Sequence, residues 1–371
     1  MNTKKILFPF IGDSIGGSHI ATLNLIKNID RTELKNKIVI HKKGKLSNYL
    51  DYQKKEYELI DIKYFSYKIF ILNIVLNVFS NLLKKIIYLK KNNITIIHCN
   101  DVRSNLIWIL PSFILRIKHI WHHHSVPNKR NFFWIFIYYF SRNIITVSKY
   151  SKNNFPKIIS SNVKVFANIF DERYFYLNID NAYKFKKKYN IPNNKWIIGY
   201  VGRLAKIKNL KLIIHGADIL INKNKIDNII FVFIGSDEDN TKSMLKSLIK
   251  QYSLNKYFIF IDHIYKIEEG INILDCLIAP SLNDSFGRTI IEAMLMKKPV
   301  LAANLGAHKE IIKNLYNGLL FENKPEDFSD QFLNLYNNSN LRDLLIKNAY
   351  SDSKIRINPS KIKKEIIEFY Q

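Results

Sequence analysis

The chain contains little cysteine, and this shortage limits where it can work. Only two cysteines, Cys99 and Cys276, occur in 371 residues, and each lies inside an apolar run typical of a strand. Two isolated thiols exclude a disulfide framework, so a reducing cytosol is the expected compartment. The apolar run at 6–11 is too short for a signal peptide and is predicted to be the first strand.

Acidic residues are also scarce. Asp and Glu number 31 against 57 Lys and Arg, which gives a formal net charge of +26. Such a surplus attracts anions, including nucleic acid, acidic lipid headgroups and phosphorylated substrates. The usual signatures of RNA- and DNA-binding proteins are missing, so nucleic acid is not an expected partner. The alternative is a general enrichment in Lys, Asn and Ile that serves no specific partner.

Short apolar runs alternate with helical periodicities from end to end, which predicts an α/β fold with two doubly wound, Rossmann-like parallel sheets. The predicted strands are 5–11, 37–41, 94–99, 119–122, 143–148 and 163–169, then 196–202, 229–235, 257–262, 276–280, 299–303 and 318–321. The predicted domains are 1–175 and 190–355, with a linker near 170–195 and a final helix in 356–371 that packs back on the first domain.

A glycine turn with two cations follows the first predicted strand of the second domain. The segment Gly199–Asn209 contains Gly202, Arg203 and Lys208. Glycine lets the backbone approach a ligand closely, while an Arg fork and a Lys point charge suit a diphosphate. A strand followed by surface cations is common, so this segment alone is weak support for a site.

Two carboxylates surround the start of a predicted helix in 280–294. Asp284 lies in the loop after a strand, the helix begins near Gly287, and Glu292 lies inside an apolar helical stretch. A helix N-terminus attracts anions, and carboxylates accept hydrogen bonds from sugar or ribose hydroxyls. The alternative is that Asp284 or Ser285 only caps the helix.

Two further segments, 298–310 and 317–321, continue the alternation of strands and turns. Together, residues 196–321 resemble the C-terminal half of retaining GT-B glycosyltransferases, specifically glycosyltransferase family 4. Gly202–Asn209 matches that family's Gly-Arg-Leu-x-x-x-Lys-Gly/Asn segment, and Asp284 and Glu292 have the spacing of its two acidic residues. The first acidic residue is Glu in the family and Asp in this sequence.

The resemblance implies a GT-B fold with a central cleft and a role for each donor-site residue. Arg203 and Lys208 would neutralise the diphosphate of a nucleotide sugar, and Glu292 would bind the ribose hydroxyls. Asp284 would contact the transferred sugar. Phe286 and Gly287 would present backbone groups to the sugar and the phosphate.

In the first domain, the loop 12–19 joins the first strand to a helix. A glycine-rich turn at a helix N-terminus approaches phosphates closely, and the family has a similar loop. Gly16 and Gly17 are therefore expected to contact the donor through their backbone.

Three consecutive histidines, His122, His123 and His124, end a predicted strand. Neighbouring strand residues point to opposite faces, so the three cannot chelate one ion, and no metal site is predicted. The family often carries a histidine near the anomeric centre at this strand end. His124 matches that position best and is the expected catalytic histidine, with His123 and His122 as alternatives.

Two stretches suggest an anionic membrane surface. Residues 69–83 carry no charge but are shorter than the roughly 20 residues that span a bilayer. With the lysines that follow, 69–91 resembles an amphipathic interfacial helix. The aromatic stretch 132–140, flanked by Lys129, Arg130 and Arg142, is the second candidate. The alternative for both is ordinary burial in the core.

The resulting hypothesis is a cytoplasmic, peripherally membrane-bound glycosyltransferase that needs no cofactor and no metal. It transfers a sugar from a nucleoside-diphosphate sugar to a glycan acceptor with retention of configuration, and the expected acceptor is lipid-linked. Capsule, O-antigen or lipooligosaccharide synthesis is the expected setting. An inverting GT-B enzyme, in which His124 could act as the general base, and a non-catalytic nucleotide-binding protein are the alternatives.

Overall fold

The computed structural model describes residues 4–29, 34–65, 70–127, 132–141 and 143–371. The chain forms two compact units. The first contains Met1–Phe170 and Ile357–Gln371, and the second is Asp171–Arg356. The chain therefore enters the second unit once and returns to the first for its last residues.

The first unit is built on a seven-stranded sheet in which every strand pair is parallel. The strand order is β3-β2-β1-β4-β5-β6-β7. The strands are β1 Lys5–Phe10, β2 Lys35–Ile40, β3 Glu58–Leu59, β4 Ile96–Cys99, β5 Lys118–His123, β6 Asn143–Thr146 and β7 Lys164–Val165. Only β3 was not predicted from sequence, because a two-residue edge strand carries no periodic signal.

Helices connect these strands. They are α1 Gly17–Ile29, α2 Lys45–Tyr52, α3 Phe70–Phe79, α4 Leu82–Lys91, α5 Val102–Ile114, α6 Phe132–Phe140, α7 Lys149–Asn153 and α8 Lys157–Ser160. The predicted amphipathic helix over 69–91 is in fact two helices, α3 and α4. Asn81 separates them with a left-handed φ of 50°, a conformation that interrupts a right-handed helix.

The second unit holds a six-stranded sheet, also parallel throughout, in the order β10-β9-β8-β11-β12-β13. Its strands are β8 Trp196–Val201, β9 Ile229–Ile234, β10 Phe258–Ile261, β11 Cys276–Ala279, β12 Val300–Ala303 and β13 Leu319–Phe321. Its helices are α9 Ile179–Lys188, α10 Leu210–Asp218, α11 Thr241–Gln251, α12 Ile267–Asn272, α13 Arg288–Leu295, α14 His308–Ile311, α15 Pro325–Asn337 and α16 Ser339–Arg356.

The last helix, α17 Pro359–Tyr370, belongs to the first unit. It packs against α1. Its residues Ile362, Ile366 and Tyr370 are buried in the same apolar cluster as Phe8 and Phe10 of β1. Spacing of these residues by four places them on one face of the helix, and burial of that face holds α17 on the sheet.

Both sheets contain a point where the strand order reverses, between β1 and β4 and between β8 and β11. In open parallel sheets, ligands bind at such points, beyond the carboxyl ends of the strands. The loops that follow β1, β4, β8 and β11 therefore mark the candidate site in each unit. The glycine loop 12–17 follows β1, and the segments around Arg203 and Asp284 follow β8 and β11.

On α3 and α4, polar side chains are buried and several large apolar side chains are exposed. The polar residues Asn77 and Lys85 are buried, whereas Phe79, Leu83 and Ile87 are 60%, 75% and 63% exposed. Lys85 Nζ donates to the carbonyls of Ile107 at 2.8 Å and of Val78 at 3.2 Å. Internal hydrogen bonds hold Lys85, and Phe79, Leu83 and Ile87 face solvent, whereas Leu89 of α4 is buried in the core. Ile69, the first residue of the predicted amphipathic helix, lies outside the described residues.

Candidate functional site

The site of the second unit begins where β11 ends. Asp284 lies in the loop before α13 and accepts from Gly287 N at 3.2 Å through Oδ1. Gly287 has a φ of 79°, which a residue with a side chain rarely adopts, so glycine is needed to start the helix here. Asp284 therefore holds the turn before α13 and makes no side-chain cap bond to the helix itself, and its second oxygen is available for another group.

That second oxygen binds Lys208, which comes from the loop after β8. Lys208 Nζ donates to Asp284 Oδ2 at 2.9 Å, and both side chains are about one-fifth exposed. The 3-10 turn Lys206–Lys208 projects this lysine toward α13. Two sequence-predicted residues that lie far apart in the chain thus form one ion pair at the switch point of the sheet.

His308, which the sequence reading did not single out, completes this group. Its Nδ1 lies 3.1 Å from the Ala303 carbonyl, and its buried Nε2 lies 3.8 Å from Asp284 Oδ2, beyond hydrogen-bond distance. Burial would raise the pKa of Asp284, but the neighbouring His308 ring and the Lys208 ammonium outweigh burial and hold that pKa well below its usual range. Asp284 is therefore a carboxylate near neutral pH.

Glu292 lies on α13 and is almost completely buried. Arg288, one turn earlier, donates to Glu292 Oε1 at 3.0 Å. Glu292 Oε2 is buried and has no hydrogen-bond partner among the described residues. Burial raises the pKa of Glu292 despite the nearby arginine. A buried carboxylate oxygen without a partner is costly, and a ligand hydroxyl would satisfy it.

Arg203 is placed differently from Lys208. Its guanidinium donates to both carboxylate oxygens of Glu238, at 2.8 and 2.7 Å, and its side chain is 56% exposed. Tyr200 fixes the backbone of Arg203, because its hydroxyl donates to the Arg203 carbonyl at 2.7 Å. Arg203 is thus held by an exposed ion pair, which is weak in water.

In the first unit, the glycine loop is held by an arginine from α5. Arg103 donates to both carboxylate oxygens of Asp13, at 3.0 and 2.9 Å, and to Ser14 Oγ at 3.1 Å. Gly17 opens α1, and a side chain on Gly16 would meet nothing within 4 Å. Packing therefore does not require glycine at position 16, and the open space there leaves room for a ligand.

The three histidines at the end of β5 do not converge. His123 packs against the rings of Trp121, Tyr138 and Phe155. His122 and His124 stack on each other with ring centroids 4.0 Å apart. Burial lowers the pKa of His122 to about 3 and that of His123 to about 4, so both are neutral at physiological pH.

Within the part of the chain that the structure describes, no group of three or more His, Cys, Asp or Glu residues could hold a metal ion. The expectation that the reaction needs no metal stays a prediction. Similarly, no helix among the described ranges is long and apolar enough to cross a membrane.

This geometry can be compared with known proteins. The family of glycosyl transferases group 1 matches residues 182–352, a range that contains Arg203, Lys208, Asp284 and Glu292. The second unit is therefore similar to a group 1 glycosyltransferase domain. Two curated relatives agree with this result.

An uncharacterized glycosyltransferase of Methanocaldococcus jannaschii, MJ1607, is 22% identical over 308 residues, which cover 78% of each chain. The O-antigen biosynthesis glycosyltransferase WclY of Escherichia coli is 23% identical over 256 residues, or 64% of this chain and 70% of WclY. The crystal structure of Anabaena Alr3699/HepE with UDP and glucose superimposes with a TM-score of 0.84 at 19% identity, covering 99% of both chains.

These likenesses confirm the predicted GT-B type of fold, with two Rossmann-like units. They also support a glycosyltransferase, in agreement with the family match. Sequence reasoning missed His308, Arg288, Glu238 and Arg103. His308 and Arg288 had a detectable signal, since each lies inside a recognised motif, whereas the other two had none.

Proposed function

We propose that this protein transfers a sugar from a nucleoside-diphosphate sugar to a hydroxyl of a glycan acceptor, with retention of configuration. Surface polysaccharide synthesis, such as that of a capsule, O-antigen or lipooligosaccharide, is the proposed setting. One observation carries the proposal. Lys208, Asp284 and the start of α13 form a charged group at the switch point of the second sheet, beside a buried Glu292 oxygen that lacks a partner.

Each part of this group has a counterpart in a nucleotide sugar. Lys208 and Arg203 supply positive charge for the diphosphate, and the backbone N–H groups at the start of α13 add to it. Glu292 Oε2 suits a ribose hydroxyl, and Asp284 lies where a sugar hydroxyl can reach it. HepE, which has a similar fold, was crystallised with UDP and glucose, which supports a donor of this class.

For the chemistry, we favour a front-face reaction. The bond between the anomeric carbon and the phosphate oxygen breaks, and the acceptor oxygen bonds to the same face of that carbon. The departing phosphate takes the proton of the acceptor hydroxyl. In this mechanism the protein stabilises charge on the leaving diphosphate and orients the reactants, which are large contributions to catalysis.

The test is a panel of nucleoside-diphosphate sugars. A true donor at about 100 times its Kd should stabilise the folded protein by roughly 2.7 kcal/mol, and in the presence of acceptor it should release the nucleoside diphosphate. The anomeric configuration of the product separates retention from inversion. Binding without release of nucleoside diphosphate, with or without acceptor, would instead identify a non-catalytic nucleotide-binding protein.

The exposed pair between Arg203 and Glu238 leads to a prediction about diphosphate binding. If Arg203 binds the diphosphate, it must first leave Glu238, so Glu238→Gln should strengthen binding. An exposed ion pair contributes about 0.2–1 kcal/mol, which corresponds to a gain of up to about fivefold in affinity. Isothermal titration calorimetry with a nucleoside diphosphate measures this change in affinity.

The control for this prediction is the double variant Arg203→Ala/Glu238→Gln. Without Arg203, the second substitution should give no gain. If Glu238→Gln increases the affinity for nucleoside diphosphate equally with and without Arg203, then Glu238 acts only by repelling the anionic ligand. Arg203 would then not be a phosphate ligand.

We also propose that the first unit binds an anionic membrane surface. Phe79, Leu83 and Ile87 on α3 and α4 are exposed, and Lys84, Lys90 and Lys91 accompany them. α5 packs against both helices, and its exposed Phe113 contacts Phe140 of α6. Exposed aromatic and aliphatic side chains beside lysines are typical of interfacial surfaces. Lys129, Arg130 and Arg142, which flank α6, lie outside the described residues.

Flotation with anionic vesicles tests the membrane proposal. The wild-type protein should bind at low salt and partly dissociate at high salt, because salt screens the lysines. Phe79→Glu/Leu83→Glu should weaken binding at least about tenfold, since two apolar side chains lose their burial in lipid. Ile179→Glu/Ile355→Glu, which changes two exposed apolar residues of the second unit, is the matched control and should bind as wild type.

A further inference from the structure

Three buried side chains form a hydrogen-bonded chain from the C-terminal helix to the end of β5. Tyr370 Oη, on the last residue of α17, lies 2.7 Å from His98 Nδ1. His98, on β4, places its Nε2 3.1 Å from His122 Nδ1 on β5. All three side chains are almost completely inaccessible to solvent. The sequence separation between Tyr370 and His98 is 272 residues.

The direction of the protons along this chain follows from hydrogen-bond satisfaction. Tyr370 Oη has no other hydrogen-bond partner among the described residues. Its hydrogen must therefore go to His98 Nδ1, because a buried hydroxyl hydrogen without an acceptor is costly. A neutral His98 then carries its own proton on Nε2 and donates it to His122 Nδ1.

His122 is thereby left with its proton on Nε2. Burial lowers the pKa of both His98 and His122, which keeps both rings neutral. The opposite direction would have His122 donate to His98 and His98 donate to Tyr370 Oη. The Tyr370 hydrogen would then be buried without an acceptor, so the first direction is favoured.

Among the described residues, the proton on His122 Nε2 has no acceptor. That atom is buried and lacks a hydrogen-bond partner within the described part of the chain. Asn100 is in the same situation, because both atoms of its amide are buried and unpartnered. Asn100 directly follows Cys99, whose register partner Trp121 directly precedes His122. Two unsatisfied polar groups thus lie at the ends of adjacent strands, at the carboxyl edge of the first sheet, where ligands of such sheets bind.

We propose that Tyr370 is a positioning residue that, through His98, fixes His122 as a neutral ring whose Nε2–H donates to a hydroxyl oxygen of a sugar substrate bound at the carboxyl edge of the first sheet. His122 stacks on His124, so the same chain restrains the ring of the expected catalytic histidine. The identity of the ligand rests on the proposed function. The proton arrangement rests only on the contacts among Tyr370, His98 and His122.

The arrangement can be read directly from ¹⁵N NMR of the full-length protein labelled on histidine, with the His122 signals identified as those lost in His122→Asn. Wild-type His122 should be protonated on Nε2 and unprotonated on Nδ1. His122 protonated on Nδ1 would overturn the proposal. In Tyr370→Phe, which removes the hydroxyl that donates to His98, His122 should become a mixture of both tautomers.

The positioning role is tested by kinetics. Tyr370→Phe should lower kcat about 2- to 10-fold, the effect of one neutral buried hydrogen bond, and leave the donor KM unchanged. The matched control is Tyr88→Phe, which removes a hydroxyl of the same unit that donates to Glu58 at 2.9 Å and is not hydrogen-bonded to a histidine. A merely structural role would lower the unfolding temperature of both variants and leave kcat of both unchanged.

Substitution of His98 gives a rescue test. His98→Gln keeps an acceptor for Tyr370 and a donor for His122, whereas His98→Met keeps neither. The glutamine variant should retain the higher kcat, and equal kcat values would contradict the relay. Failure of the proposed function can be distinguished from failure of the proton arrangement. If His122 shows the expected tautomer but no nucleoside-diphosphate sugar binds, the proton arrangement is correct and the assignment of a sugar ligand is wrong.

Discussion

Replacing Asp284 by asparagine should lower kcat by about 30- to 1,000-fold, the effect of losing about 2–4 kcal/mol of charge stabilisation near the reacting centre. Asp284 is a carboxylate at neutral pH, since Lys208 and His308 keep its pKa low. An asparagine would still accept from Gly287 N, but it would place either an uncharged oxygen or an amide N–H against Lys208. The turn before α13 would survive while the charge that holds Lys208 is lost.

Asp284→Glu is the sharper variant, because it restores the residue that the resembling family usually carries. If Asp284 is the shortened counterpart of that glutamate, the variant should stay active or change its preference among sugars. Steady-state kinetics with several nucleotide sugars distinguishes these results. Asp262→Asn is the matched control, since it removes the carboxylate of another Lys–Asp pair of the same unit, with Lys242 at 2.7 Å.

The control should leave kcat as in wild type. If Asp284→Asn also leaves kcat intact, then Asp284 only holds Lys208 and the turn before α13, and the sugar is bound by other groups. Circular dichroism and the unfolding temperature of each variant show whether a loss of kcat is instead a loss of fold.

Replacing Glu292 by glutamine should raise the donor KM by roughly 10- to 150-fold, the range for a hydrogen bond to a charged group, and change kcat little. The reason is that the ribose lies away from the bond that breaks. A contact with it is made equally in the ground state and the transition state, and such contacts affect KM alone. Glu292 Oε2 is the buried oxygen left for this contact, because Arg288 occupies Oε1.

The nucleobase-ribose part of the donor gives an internal check of this prediction. Glu292→Gln should weaken binding of the nucleoside, the nucleoside diphosphate and the full donor by similar factors. Glu269→Gln, which changes the carboxylate of an exposed helical pair with Lys266, is the control and should bind all three as wild type. A fall in kcat at unchanged KM would place Glu292 at the reacting centre instead.

Much of the fold follows from local sequence pattern. Buried parallel strands are short, apolar and bounded by turns, so twelve of the thirteen strands in the structure coincide with predicted runs. The positions of Lys208 and Asp284 in loops after strands, and of Glu292 on the helix that follows, also follow from pattern, since glycine turns after strands mark the carboxyl edge of a sheet. The sequence pattern therefore determines which residues lie at the carboxyl edge of the sheet.

The partners of those residues are decided by tertiary structure. Arg203 pairs with Glu238, and His308 approaches Asp284, because adjacent strands bring their following loops together. Tertiary structure also decides which side of α3 and α4 is buried. Periodicity shows that two faces differ in polarity, but only the hydrogen bonds from Lys85 to carbonyls of α3 and α5 show that this lysine is buried while Leu83 and Ile87 are exposed.

The hydrogen bonds that link Tyr370, His98 and His122 show most clearly what the sequence determines and what the tertiary structure decides. Sequence alone predicts that 356–371 is a helix and that His122 ends a strand. Only the return of α17 to the first sheet brings a tyrosine hydroxyl within 2.7 Å of His98. Backbone propensity and hydrophobic periodicity act over a few residues, whereas a buried hydrogen bond depends on the positions of two elements that the whole fold must first bring together.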